Sequence, residues 1–140
     1  MSEQADILIE RAFPSSRDEL KELPKILEAI RDRCPISDDQ FYNLVIAMTE
    51  AVNNAIVHGN ELDPAKQVRY RIECRSGGVL CVVEDEGPGF EVEEVADPLD
   101  PANILREGGR GVFLIQMLMQ ELRAERIEGG MRISFFCPAT

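Results

Sequence analysis

The sequence predicts an α/β fold of the α+β kind: a two-layer sandwich in which a mostly antiparallel mixed sheet is covered on one face by helices. Three observations predict it. Apolar runs of strand length come in pairs joined by glycine turns, Ser76-Gly77-Gly78 and Gly129-Gly130, which read as hairpins. Two longer segments repeat apolar residues at three- and four-residue spacing, the signature of amphipathic helices. Such helices must bury one face, and a sheet made of hairpins offers a surface for it. At 140 residues the chain can build a substantial core as a single domain, residues 1–140.

The elements follow in order. Asp6 to Phe13 reads as a first strand. Pro14-Ser15-Ser16 then opens a helix with Asp18 and Glu19 in its first turn, where carboxylates favour the positive end of the dipole. Leu20, Leu23, Leu27 and Ile30 form its apolar stripe. Pro24 falls inside the stripe and is expected to kink or delay the helix, which Cys34-Pro35 ends. Ser37 or Asp38 caps a second helix that reaches about His58 and stops at Gly59-Asn60. Strands follow near 67–74 and 79–84. Residues 90–110 carry acids, two prolines and two glycines without a period; a loop that long in a small domain is usually functional or mobile. Gly111 to Leu122 reads as a helix, and 123–128 with 131–137 as a last hairpin.

Composition narrows the function classes. The formal net charge of -11 argues against direct nucleic-acid binding, which needs a basic surface. It suits a partner with a basic face. No run approaches the roughly 20 apolar residues of a membrane helix. MSEQADILIE has no basic stretch followed by an apolar core, so no secretory signal is expected and the location expected is cytoplasmic. Cys34, Cys74, Cys81 and Cys137 show no CxxC spacing and read as reduced, buried thiols. One histidine and no clustered ligands argue against zinc.

Three short segments carry chemistry. The first is Glu50-Ala51-Val52-Asn53-Asn54, late in the second helix. Phe41, Leu44, Val45, Met48, Val52, Ala55 and Ile56 share its sheet-facing side, and Glu50 and Asn54, at i and i+4, project together from the other. Ile46, Ala47 and Val57 flank the pair, and Glu50 is the only charged side chain from Phe41 to Gly59 with His58 neutral. That reads as a pocket wall; the plainer reading is two polar residues facing water. An amide oxygen at Asn54 is a hard ligand for Mg²⁺, and Glu50 can take a proton from a hydroxyl nucleophile.

The second segment, Asp85-Glu86-Gly87-Pro88-Gly89, leaves the apolar strand Val79 to Val83. Gly87 and Gly89 allow close approach of a ligand, and the Asp85 carboxylate would accept from the exocyclic amino group of adenine, where guanine offers a carbonyl. An ordinary strand-to-loop turn is the alternative. The third, Gly108-Gly109-Arg110-Gly111, precedes the helix Val112-Phe113-Leu114-Ile115. Glycine amides at a helix start suit phosphates, and Arg110, with Arg106 as a further cation, offsets the acidic background. Residues 90–110 could close as a lid. There is no GxxxxGK[ST], so this is not a P-loop. Together the segments point to a site for ATP.

In order and spacing these segments resemble the Bergerat (GHKL) ATP-binding fold shared by gyrase, the ninety-kilodalton heat-shock chaperone, sensor histidine kinases and the MutL repair proteins. Glu50 to Asn54 resembles its N box, Asp85 to Gly89 its first glycine box, and Gly108 to Gly111 its second. With Glu50-Ala51-Val52-Asn53-Asn54-Ala55-Ile56-Val57-His58-Gly59 and so short a chain, it is most similar to the bacterial anti-sigma-factor serine/threonine kinases, from about Phe13 to Phe136. The resemblance implies a kinase that uses Mg·ATP to phosphorylate a small STAS-type anti-anti-sigma protein, that can also hold a sigma factor inactive, commonly as a homodimer. It implies Glu50 as general base, Asn54 as Mg²⁺ ligand, Asp85 as adenine reader with Gly87 and Gly89 beneath it, and Gly108, Gly109, Arg110 and Gly111 at the phosphates. The family often has Thr after the glycine of the last hairpin, where this chain has Met131, so weaker nucleotide binding is expected, with Ser134 an unaligned substitute. Two other readings compete: a non-catalytic ATP-binding regulatory module, and the detached catalytic domain of a histidine kinase, for which His58 is a poor acceptor inside the motif helix.

Overall fold

The computed structural model describes residues 6–87 and 109–140. Strands β1 (Asp6–Pro14), β2 (Gln67–Arg75), β3 (Gly78–Asp85), β4 (Gln120–Ile127) and β5 (Gly130–Pro138) form one sheet. Its order is β1-β2-β3-β5-β4, and every neighbouring pair is antiparallel. Helices α1 (Glu19–Arg31), α2 (Asp38–Asn53) and α3 (Gly109–Leu118) complete the described fold, with a π-helical turn (Asn54–Gly59) continuing α2.

Period-two alternation sorts the sheet residues. Val68, Tyr70 and Ile72 of β2, Val79, Cys81 and Val83 of β3, and Ile133, Phe135 and Cys137 of β5 enter the core with Leu23, Leu27, Leu44, Met48, Val52, Ile56 and Ile115 from the helices. The other face carries ion pairs alongside Leu80, Val82 and Phe136. Glu84 pairs with Arg132 at 2.7 Å and Arg69 at 3.5 Å. Glu73 is 5% exposed and lies between Arg71 at 2.5 Å and Arg75 at 2.8 Å. Burial pushes its carboxyl up, but the two guanidinium hydrogen bonds outweigh that and the net shift is downward. A depressed acid adds stability above its unfolded value and loses it as pH falls through the folded one. Glu73→Gln is therefore expected to lower the urea midpoint at neutral pH, with the gap to the parent closing below the ordinary glutamate range.

Several boundaries differ from those expected. α1 begins at Glu19, because Ser15 belongs to the β1–β2 end: its N–H and Oγ both donate to the Lys66 carbonyl, at 3.1 and 2.8 Å. Pro24 sits within α1. α2 starts as expected, with Ser37 Oγ accepting from the Gln40 N–H at 3.2 Å. Its regular part stops at Asn53, and the Asn60 N–H reaches the Ala55 carbonyl at 2.8 Å, five residues back. α3 ends at Leu118 instead of Leu122, because Gln120 to Leu122 are drawn into β4 beside β5. Glu121, with φ at 53°, and a register shift between Gln120 and Arg123 absorb the change of direction.

Two cysteine expectations part company. Cys34 and Cys74 form a disulfide, their Cα atoms 5.8 Å apart, so reduced thiols at those positions are corrected. A separation of 40 residues gave no pairing signal; the fold brings the end of α1 onto the end of β2. Cys81 and Cys137 are buried free thiols, as expected. Among the described residues no helix is long and apolar enough to cross a membrane.

Candidate nucleotide site

Glu50 and Asn54 lie on the side of α2 away from the sheet, both partly exposed. The neighbouring Ala47, which flanks the pair, is fully buried. α3 packs along α2. The same packing brings the first and third segments together. A Cβ placed on Gly111 would lie 2.9 Å from Glu50 Oε2 and 2.9 and 3.1 Å from the Asn54 amide nitrogen and oxygen. The start of α3 therefore faces the carboxylate–amide pair directly, and glycine makes that approach possible.

The second segment joins at the other end of the π turn. Asp85 is the last inward residue of β3, in phase with Val79, Cys81 and Val83, so its carboxylate points to the helix side. Its Oδ1 accepts from the Gly87 N–H at 2.8 Å. Oδ2 abuts Gly59, where a Cβ would come within 2.2 Å. Gly87 itself sits on Gly59, its absent Cβ 1.9 Å from the Gly59 carbonyl oxygen, and that of Gly130 would lie 1.7 Å from the Asp85 carbonyl oxygen. Backbone from three elements thus packs tightly around Asp85, with Gly59 against its carboxylate and Gly130 against its carbonyl oxygen.

Burial raises the Asp85 carboxyl above its usual value, against the opposing pull of the Gly87 and Met131 N–H groups and Lys66. An acid raised on folding adds stability below its ordinary range and loses it as pH rises through the folded value. At neutral pH the ionised group is then a cost to the fold, the usual mark of a group kept for function. Asp85→Asn is expected to weaken ATP binding by about 1–3 kcal/mol, the range for spoiling a hydrogen bond to a charged group. The fold should not suffer. Calorimetry and urea unfolding on one preparation check both halves; unchanged ATP affinity would remove Asp85 from the adenine role.

From Glu50 to Gly59 the helix advances roughly 13 Å at about 1.5 Å per residue. The carboxylate–amide pair faces Gly111 near one end of that ridge and Asp85 meets the other, a layout that suits a ligand with a base at one end and phosphates at the other. The donor set fits Mg²⁺: Asn54 and Glu50 offer hard oxygens. Among the described residues no three His, Cys, Asp or Glu side chains group as a metal cage, so phosphate oxygens and water would complete the coordination, as is usual for this ion.

Gly109 and Arg110 form the first turn of α3, with the Arg110 side chain outside the described residues. Gly89, Gly108, Arg106 and most of the expected lid at 90–110 also lie outside them. His58 lies in the π turn, partly exposed. Met131 pairs with Asp85 across the β3–β5 ladder, and its buried thioether carries no hydroxyl. Ser134 cannot replace it, because an odd offset along β5 puts it on the opposite face, beside Val82 and Arg123.

One residue was overlooked by the sequence reading. Asn60, fully buried, served there only as a helix stop. Its Nδ2 donates to Ser15 Oγ at 2.7 Å and the Gln67 carbonyl at 2.9 Å, and its Oδ1 accepts from the Glu86 N–H at 2.7 Å. It ties the π turn to the start of β2 and the exit of β3, and so positions Asp85 against Gly59. An Asn next to the glycine of a motif helix was the available signal.

A family model described as histidine kinase-like ATPase domain matches residues 13–136. The serine-protein kinase RsbW of Staphylococcus epidermidis is 31% identical over 133 residues, covering 90% of this chain and 83% of that protein. The RsbW of Bacillus subtilis (strain 168) is 28% identical over 135 residues, covering 92% and 84%. Among solved structures, the histidine kinase domain of the Erythrobacter litoralis EL346 blue-light activated histidine kinase aligns with a TM-score of 0.56 at 22% identity, over 90% of this chain and 61% of that one. The mycobacterial sensor histidine kinase MprB aligns with a TM-score of 0.59 at 18% identity, over 93% of this chain and 97% of that one. At such identities the structural likeness speaks for the fold.

Proposed function

The chain belongs to the histidine kinase-like ATPase domain family, and from that premise we propose that it is an ATP-dependent protein serine/threonine kinase acting on a small STAS-type anti-anti-sigma protein. The family implies use of ATP, and relatives named serine-protein kinase across four fifths of their length support the reaction. The observation that carries the reading is the pairing of Glu50 with Asn54 against Gly111. A binding site alone needs no carboxylate there. A site that activates a hydroxyl does.

In this reading Asp85 and the Gly59–Gly87 contact hold the adenine, while Gly109, Arg110 and Gly111 hold the phosphates. Asn54 would hold Mg²⁺, whose charge neutralises phosphate oxygens when bound. A serine or threonine hydroxyl of the partner docks beside Glu50. As its oxygen bonds to the γ-phosphorus, Glu50 takes the proton, and the bond to the β-phosphate oxygen breaks to release ADP. The products are ADP and a phosphoserine or phosphothreonine. Sequestration of a sigma factor, homodimer formation and a cytoplasmic location complete the proposal.

The test incubates the purified chain with γ-labelled ATP and the STAS-domain proteins of its own genome. Label on a serine or threonine of one of them is the expected outcome. Tight ATP binding with no transfer to any would defeat the kinase reading and leave the non-catalytic module.

A further inference from the structure

The Cys34–Cys74 disulfide closes a covalent loop across 40 residues of sequence. That loop contains all of α2, the π turn and β2 up to Cys74. Glu50, Asn54, Gly59 and Asn60 are therefore carried on one segment tied to itself at both ends. Cys34 follows the last turn of α1 and stands three residues before the Ser37 cap of α2. Its sulfur packs 3.5 Å from the Gly78 carbonyl, at the β2–β3 hairpin. Cys34 is 4% exposed, whereas Cys74 is only partly buried, so Cys74 is the more accessible residue of the pair.

The other two cysteines do not interfere. Burial pushes the Cys137 thiol up to about 11 and the Cys81 thiol well above its usual value. Neither is a competent thiolate at neutral pH, so neither displaces the bond by exchange.

We propose that Cys34–Cys74 is a reversible redox site, opened by dithiol reductants, whose state sets nucleotide affinity by tethering the segment that carries Glu50 and Asn54. A thiolate of the reductant attacks Cys74 Sγ, and Cys34 leaves as a thiolate that takes up a proton. The reductant's second thiol resolves the mixed disulfide, forming its own disulfide and freeing Cys74 as a thiol. Two electrons and two protons pass from the dithiol to the protein. Core packing seats α2 on the sheet in both forms; the closed loop further restricts excursions of the segment before nucleotide arrives, so less freedom is lost on binding than in the open form.

The coupling rests on the ATP-binding reading, not on the kinase reading. The test uses the full chain, oxidised with glutathione disulfide or reduced with dithiothreitol, and a fluorescent ATP analogue with Mg²⁺ as probe. Two free thiols are expected in the oxidised chain and four in the reduced one. Affinity should be about 5-fold or more weaker after reduction, the lower end of ordinary coupling between sites. Cys74→Ser should bind at the reduced level with or without dithiothreitol. Should that variant unfold, Cys34→Val/Cys74→Ala, which refills the space, replaces it. Four thiols after oxidation, equal affinity in both states, or unfolding of both the reduced chain and the refilled variant each overturn the proposal. Loss of probe binding in both states overturns the ATP reading and this coupling with it. Binding without phosphoryl transfer ends the kinase reading and leaves the coupling standing.

Discussion

Glu50→Gln is expected to cut phosphoryl transfer to the protein partner by about 10²- to 10⁴-fold, the usual contribution of a positioned general base. ATP affinity should stay close to that of the parent. Glutamine keeps the length and much of the shape of glutamate but cannot take the proton of an attacking hydroxyl. The carboxylate is partly exposed and lies against Gly111, outside the hydrophobic core, so the isosteric change is expected to leave the fold intact. Steady-state rates with labelled ATP, beside calorimetry of nucleotide binding, separate the two effects. Regulation that survives Glu50→Ala would favour the non-catalytic module. Regulation lost with fold and ATP binding intact would exclude it.

Gly87→Ala is expected to abolish measurable nucleotide binding and to destabilise the fold by about 3 kcal/mol, the upper end for forcing a group into a filled space. The added Cβ would lie 1.9 Å from the Gly59 carbonyl oxygen and 2.9 Å from its Cα. Both are backbone, so no side-chain rotation relieves the clash. The Gly87 N–H also holds Asp85 Oδ1, so displacement of the loop releases the carboxylate from its place. Gly77→Ala is the control. Its φ is +83° but a Cβ there meets nothing within 4 Å, so the expected cost is only the left-handed backbone penalty of about 1–2 kcal/mol. Urea unfolding of the two variants should differ in size, and only Gly87→Ala should lose the nucleotide. Equal effects would mean that the tight Gly59–Gly87 approach does not shape the site.

Much of the architecture was legible because it is local. Hairpin turns at Gly77 and Gly129, both with positive φ, announce themselves in glycine-rich dipeptides. The cap at Ser37 is a short-range hydrogen bond. Asp85 falls on the helix side because strand residues alternate, so counting from Val79 is enough. Where local pattern and long-range pairing competed, pairing won. Gln120 to Leu122 continue a helical pattern, yet β5 offers an unpaired edge and takes them into β4. Ala47 shares the side of α2 that carries Glu50 and Asn54, and it is fully buried.

The sequence by itself determined the set of elements, the residue types available to the site and the face from which each projects, because these depend on backbone periodicity and on neighbours a few residues away. Only the tertiary structure decided what meets what. The contact of Gly111 with Glu50 and Asn54, the seating of Gly87 on Gly59, the service of Asn60 to three segments and the Cys34–Cys74 bond join residues distant in the chain. Such contacts arise when α2 and α3 bury their apolar faces on a common sheet, and no local spacing encodes that meeting.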